Sequence, residues 1–153
     1  FNTLRGILAV AEPILAARIA ATEQRNDEAL AQLRAAVAAQ DRLAYNEPAD
    51  WLFPVRHLLG AQLLIAERPA EAERVYREDL QRNPGNGWAL YGLAAALRMQ
   101  GKAAEAARVR GQLADAWRHA DIRLQASAFW FAGADNLSCE CQRVALNPPA
   151  AGS

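Results

Sequence analysis

Residues 53–86 read FPVRHLLGAQLLIAERPAEAERVYREDLQRNPGN, and residues 87–120 read GWALYGLAAALRMQGKAAEAARVRGQLADAWRHA. Both stretches are 34 residues long, and they can be aligned without a gap. The correspondence is clearest where RPAEA at 68–72 is matched by KAAEA at 102–106. Self-similarity at a fixed period of this length is typical of proteins that stack helical hairpins.

The first block has the spacing of two packed helices. Gly60 and Ala72 supply small side chains, one for each predicted helix, where two helix axes can approach closely. Tyr76 and Leu80 follow Ala72 at intervals of four, so the three side chains share one helical face. Pro84 is expected to end the second helix, because proline cannot continue the hydrogen-bond ladder.

The second block keeps this plan. Ala94 takes the place of Gly60 and Ala106 that of Ala72, and Gly101 is expected to break the chain between the two helices. The block departs from the first at Arg110, where an aromatic residue is expected, and at Arg118, where the proline would fall.

These positions resemble the consensus of the tetratricopeptide (TPR) repeat, a pattern of Trp, Leu-Gly, Tyr, Ala, an aromatic residue, Ala and Pro. The resemblance implies an all-α fold, an α-solenoid of stacked TPR-like hairpins with a C-terminal capping helix. It suggests the C-terminal part of a longer bacterial TPR protein. The predicted repeat domain covers residues 1–132, with units at 10–43, 53–86 and 87–120, a capping helix at 115–131 and a loose tail at 133–153.

The upstream unit is more divergent than the other two. Its first helix is expected over residues 11–22 and its second to begin near Glu28. About nine residues in excess of the period lie around 44–52, between Pro48 and Pro54, which predicts an irregular connection there. Residues 1–9 are interpreted as the end of an earlier helix. Helical spacing predicts the capping helix at 115–131 from Trp117, Ala120, Leu124 and Phe131.

Composition favours a helical protein without a nucleic-acid or membrane partner. Hydrophobic residues make up 52% of the chain, and alanine, the best helix former, supplies much of that share. The chain carries 17 basic and 17 acidic residues, a balance that gives no electrostatic footprint for nucleic acid or an anionic membrane. A cytoplasmic location is expected, because the two cysteines, Cys139 and Cys141, form no disulfide framework.

The sequence gives no pattern that predicts catalysis, a metal or a cofactor. His57 and His119 have no metal-ligand spacing with another His or Cys, and Cys139 and Cys141 alone cannot complete a tetrahedral site. Glu47 and Asp50 could act as a catalytic carboxylate pair, but capping and loop packing are the alternative. We therefore expect that the chain is not an enzyme.

In a TPR stack the first helix of each unit lines a concave groove, so the resemblance assigns groove positions by register. Ala61 and Ala95 stand where a carboxylate clamp for acidic tails would need Asn, so no clamp of that type is expected. For Trp88 and Tyr91 the alternative is packing against adjacent helices. The predicted groove residues are Arg18, His57, Leu64, Trp88, Tyr91, Arg98 and Met99.

Two functions remain open at this point. The first is an interaction module that binds a peptide or protein segment in the groove, with self-association also possible. The second is a structural, targeting or oligomerisation arm of a longer protein whose activity lies upstream. A repeat fold serves many pathways, so the sequence does not name the partner.

Overall fold

The computed structural model describes residues 2–128. Over that range the chain is all-helical, without a strand, and each helix packs against the next. The predicted tail at 133–153, with Cys139 and Cys141, lies outside the described residues. The six helices are α1 (Leu4–Thr22), α2 (Asn26–Gln40), α3 (Val55–Ile65), α4 (Pro69–Arg82), α5 (Gly87–Met99) and α6 (Ala103–Ala116).

The 34-residue period of the sequence recurs in the positions of the helices. Helix α4 begins at Pro69 and ends at Arg82, and helix α6 begins at Ala103 and ends at Ala116. The two starts are therefore 34 residues apart, and so are the two ends. The predicted helix end before Pro84 and the predicted break at Gly101 are confirmed. Pro69 occupies the first turn of α4, where its missing N–H costs nothing.

Helices α3 and α5 form the centre of the protein. Every residue from Val55 to Leu64 is buried, and so is every residue from Ala89 to Leu97. Burial on all sides places both helices in the core, and α3 also contacts α5 directly. By contrast α4 and α6 bury one face each, with Ala72, Tyr76, Asp79, Ala106 and Val109.

The connection between α2 and α3 is irregular from residue 41 to residue 54, as predicted. The side-chain amide of Asn2 donates to the carbonyl of Ala44 and accepts from the backbone N–H of Ala44, both at 2.8 Å. It also donates to the carboxylate of Asp50 at 2.7 Å. Arg56 and Arg82 both reach Asp41 at the end of α2, at 2.7–2.9 Å. The hydrogen bonds from Arg56 lower the pKa of Asp41.

The N-terminal prediction was wrong in one respect. Residues 4–9 are the first turns of α1 itself rather than the end of an earlier helix. Thr3 caps α1, since its hydroxyl accepts a hydrogen bond from the amide of Gly6 at 3.1 Å.

The predicted capping helix at 115–131 is also wrong over the described residues. Helix α6 ends at Ala116, and residues 121–128 are irregular. Two contacts of Trp117 account for the change in chain direction after α6. Its ring lies against Gly87, where an added methyl group would stand 2.2 Å from the ring, and its indole N–H donates to the carbonyl of Ile122 at 2.9 Å. The chain therefore turns back toward α5 instead of extending as a helix.

Candidate functional site

Residues 121–128, here called the inner segment, lie against the side of α3 and α5 that faces away from α4. Two tyrosines define that side. Tyr91 of α5 donates from its hydroxyl to the carbonyl of Gln125 at 2.9 Å. Tyr76 starts on α4, and its ring passes between Gly60 and Gly92 to place its hydroxyl 2.6 Å from that of Ser127. We call this side of α3 and α5 the inner face.

Burial changes the chemistry of both phenols. It raises the pKa of Tyr91 to about 12 and that of Tyr76 well above its usual range. A tyrosine hydroxyl is protonated at physiological pH in any case, and burial extends this to more alkaline pH, so both groups act in hydrogen bonds rather than as acids.

An open cleft of about 780 Å³ lies between α1, α5 and the inner segment. Ile14 and Arg18 of α1 line one wall, and Trp88 of α5 lines another. The rest of the lining, namely Ala11, Leu15, Trp51, Ile122, Arg123, Leu124 and Gln125, is mostly apolar. The charged residues of this lining are both arginines, Arg18 and Arg123.

Local sequence features hold Trp88 and Trp51 at the cleft. Asn86 caps α5 by accepting hydrogen bonds from the amides of Trp88 and Ala89, at 3.0 and 3.3 Å. Trp88 packs edge to face against Trp117, with ring centroids 6.4 Å apart. Trp51 in the irregular connection packs in the same manner against Phe53, at 5.6 Å.

The structure brings only some of the predicted groove residues together. Arg18 and Trp88 line the same cleft, and Tyr91 lies beside it, hydrogen-bonded to the lining residue Gln125. Leu64 is 1% exposed and belongs to the hydrophobic core. Arg98 and Met99 are half-buried at the end of α5 and do not line this cleft.

His57 has its partner inside the protein. Its Nε2 lies 2.9 Å from a carboxylate oxygen of Asp79 on α4, and both residues are buried. The other oxygen of Asp79 accepts a hydrogen bond from the side chain of Asn83 at 3.1 Å. His57 thus joins α3 to α4 and offers little surface to a second molecule.

The carboxylates of the irregular connection have loop partners as well. Asp50 accepts hydrogen bonds from Asn2 and from Asn46, at 2.7 and 3.2 Å, and the hydrogen bond from Asn2 lowers its pKa. Glu47 accepts from the hydroxyl of Tyr45. Within residues 2–128, no group of three or more His, Cys, Asp or Glu side chains is placed to hold a metal ion. No helix of that range is long and apolar enough to cross a membrane.

Sequence reasoning missed the residues that the inner segment contributes. Gln125 and Ser127 carry no motif, and they meet Tyr91 and Tyr76 across 34 and 51 residues of chain. The pair of glycines beside Tyr76, Gly60 and Gly92, was the available signal that a large ring passes between α3 and α5. Comparison of the chain with protein-family models, with curated proteins and with solved structures gives no match.

Proposed function

We propose that the chain is a TPR-type solenoid that binds a peptide segment of another protein at its inner face. The observation that carries this proposal is the apolar cleft of about 780 Å³, to which two register-assigned residues, Arg18 and Trp88, contribute. The 34-residue spacing of the helix ends supports the TPR assignment. An apolar concave site with a few convergent polar groups is the usual form of a binding site.

The lining of the cleft indicates the chemistry of the partner. Trp88 and Trp51 offer large rigid surfaces of the kind that anchor protein interfaces. Arg18 and Arg123 favour carboxylates, because a guanidinium matches a carboxylate in both charge and geometry. The partner segment is therefore one that places a bulky apolar side chain in the cleft with Asp or Glu next to it.

A library of random peptides displayed on phage and selected on the full chain tests this function. Enriched peptides are expected to combine an apolar anchor with an acidic residue. Their affinity should fall at least tenfold for Arg18→Gln, and binding should weaken as salt rises, because exposed charges are screened. Arg110→Gln, which removes the same charge from the exposed side of α6, is the matched control.

Two outcomes would count against the proposal. One is a selection that enriches no sequence above background. The other is a set of enriched peptides that bind the Arg18→Gln and Trp88→Ala chains as tightly as wild type, when circular dichroism shows that both variants keep their helices.

A separate observation supports a second candidate function, that of an oligomerisation or contact arm. Leu4, Leu8, Leu15 and Ile19 are exposed apolar residues of α1, and their spacing places them on one stripe of that helix. Such a stripe suits an oligomerisation arm or contact with another part of a longer protein. Sedimentation equilibrium of the full chain tests it, since Leu8→Glu should lower any self-association while Arg42→Glu, an exposed position beyond α2, should not.

A further inference from the structure

The inner segment is bound in the way that a separate peptide would be. It is irregular, yet Ala126, Ser127 and Ala128 are only 0–2% exposed. Its side chains are small at these three positions. Ala128 belongs to the hydrophobic core, so this end of the segment is packed into the protein rather than lying on its surface.

Two hydroxyl groups of the inner face hold this segment. The hydroxyl of Tyr91 is hydrogen-bonded to the main-chain carbonyl of Gln125, and the hydroxyl of Tyr76 is hydrogen-bonded to the side chain of Ser127. Hydrogen bonds to main-chain groups, combined with pockets for particular side chains, are the usual means by which proteins hold extended peptides.

The position of Tyr76 sets a requirement on whatever lies at this point. Its ring is fixed between Gly60 and Gly92, where added methyl groups would stand 2.3 and 2.1 Å from it, so the hydroxyl cannot turn away. A buried hydroxyl without a partner costs about 1–3 kcal/mol. Any segment that occupies the inner face must therefore bring a small residue with a hydrogen-bonding group to Tyr76.

We propose that residues 121–128 are an internal ligand of the inner face, and that a partner peptide binds by replacing them. This inference rests on the proposed function. The partner that fits is an extended segment with Ser or Thr between small residues, and its acidic and apolar part reaches Arg18 and Trp88, the cleft residues that stay in place when residues 121–128 leave. Because the internal ligand is tethered, its effective concentration is high, and a partner in solution must compete with it.

The test uses the full chain and an acetylated, amidated, fluorescein-labelled peptide of residues 121–128, DIRLQASA. Ser127→Asp places a charge in the buried site beside Tyr76 and should expel the segment. Hydrogen exchange at residues 126–128 should then accelerate, and the chain should bind the peptide at least tenfold more tightly than wild type does. A peptide with Ala in place of Ser should bind the same variant at least fivefold more weakly.

Ala120→Asp is the matched control, because it adds the same charge just before the segment at an exposed position. It should leave both hydrogen exchange and peptide affinity as in wild type. If Ser127→Asp fails to fold, Ser127→Ala removes only the hydroxyl and should give the same changes to a smaller degree.

The inference is overturned if exchange at residues 126–128 stays slow in both variants. It is also overturned if a folded chain with a released segment binds the peptide no better than wild type. The proposed function fails separately. A partner peptide from the phage selection that binds without releasing residues 126–128 would keep that function and overturn this inference. Release and rebinding of DIRLQASA, with no peptide enriched on phage, would show that residues 121–128 are an internal ligand and would overturn the proposed function.

Discussion

The hydroxyl of Tyr76 and the hydroxyl of Ser127 lie 2.6 Å apart, although the two residues stand on opposite sides of the α3–α5 layer. Neither side chain is accessible to solvent. The contact therefore ties the outer helix α4 to the irregular end of the described chain, through a gap that exists only because Gly60 and Gly92 lack side chains.

This contact is expected to contribute to stability as a coupled pair. Tyr76→Phe and Ser127→Ala should each lower the free energy of unfolding by about 1–2 kcal/mol, because each leaves a buried hydroxyl without its partner. The double variant should be less destabilised than the sum, with a coupling of about 0.5 kcal/mol or more. Urea unfolding of the four chains measures this, and strictly additive losses would show that the two hydroxyls do not interact.

The glycines that flank Tyr76 should tolerate no side chain. In Gly92→Ala the new methyl group would stand 2.1 Å from the ring, and an overpacked core of this kind costs about 1–3 kcal/mol. Gly111→Ala on α6 is the matched control. No atom of a neighbouring residue lies within 4 Å of the methyl group added there, so this substitution should stabilise the helix by about 0.5–1 kcal/mol. Thermal unfolding should move in opposite directions for the two variants, and a Gly92→Ala chain as stable as wild type would contradict the packing described.

Much of the helical part of this fold could be predicted, because its causes are local. The boundary at Pro84 and the break at Gly101 follow from the backbone limits of those residues, and α4 and α6 follow from the 34-residue period. Arg18 and Trp88 were assigned by register to one groove and do line one cleft.

The end of α6 and the inner segment could not be predicted in the same way. Trp117 and Leu124 have helical spacing, but the course of the chain there depends on contacts with Gly87, Tyr91 and Tyr76, which are distant in sequence. Helical periodicity does not distinguish a residue that continues a helix from one that packs on a neighbouring helix. The buried contact of His57 could not be predicted for a related reason, since its partner Asp79 lies on the next helix.

The buried pair His57 and Asp79 should be important for stability rather than for binding. Asp79→Ala removes a carboxylate that accepts from two side chains in a fully buried position, so it should cost about 2–4 kcal/mol. Gln81→Ala, at an exposed position of the same helix, should change stability by less than about 0.5 kcal/mol. Equal stabilities of the two variants in urea would refute this role for Asp79.

The two equivalent turns between helices differ in backbone strain. Gly101 has a φ of 73°, and Glu67, which lies 34 residues earlier in the chain, has a φ of 55°. Both residues therefore have left-handed backbone. Left-handed backbone costs a residue other than glycine about 1–2 kcal/mol. Gly101→Ala should therefore lower the free energy of unfolding by about 1 kcal/mol, whereas Glu67→Gly should leave it unchanged or raise it. A stabilising Gly101→Ala would contradict the turn geometry.

Glu73 should make stability depend on acid pH. The hydrogen bond from Lys102, with those from Gln100 and Arg77, lowers its pKa from the usual 4.5 to about 2. A carboxyl group with a lowered pKa in the folded protein stabilises it above its unfolded pKa, and that contribution is lost as pH falls from about 4.5 toward 2. Glu73→Gln should thus cost about 1 kcal/mol at pH 7, a modest value because Lys102 and Arg77 are exposed. The difference from wild type should shrink below pH 4, whereas a difference that stays constant from pH 7 to pH 3 would contradict the assignment. Glu78→Gln, whose side chain is 58% exposed and 3.6 Å from Arg56, is the control and should cost less at pH 7.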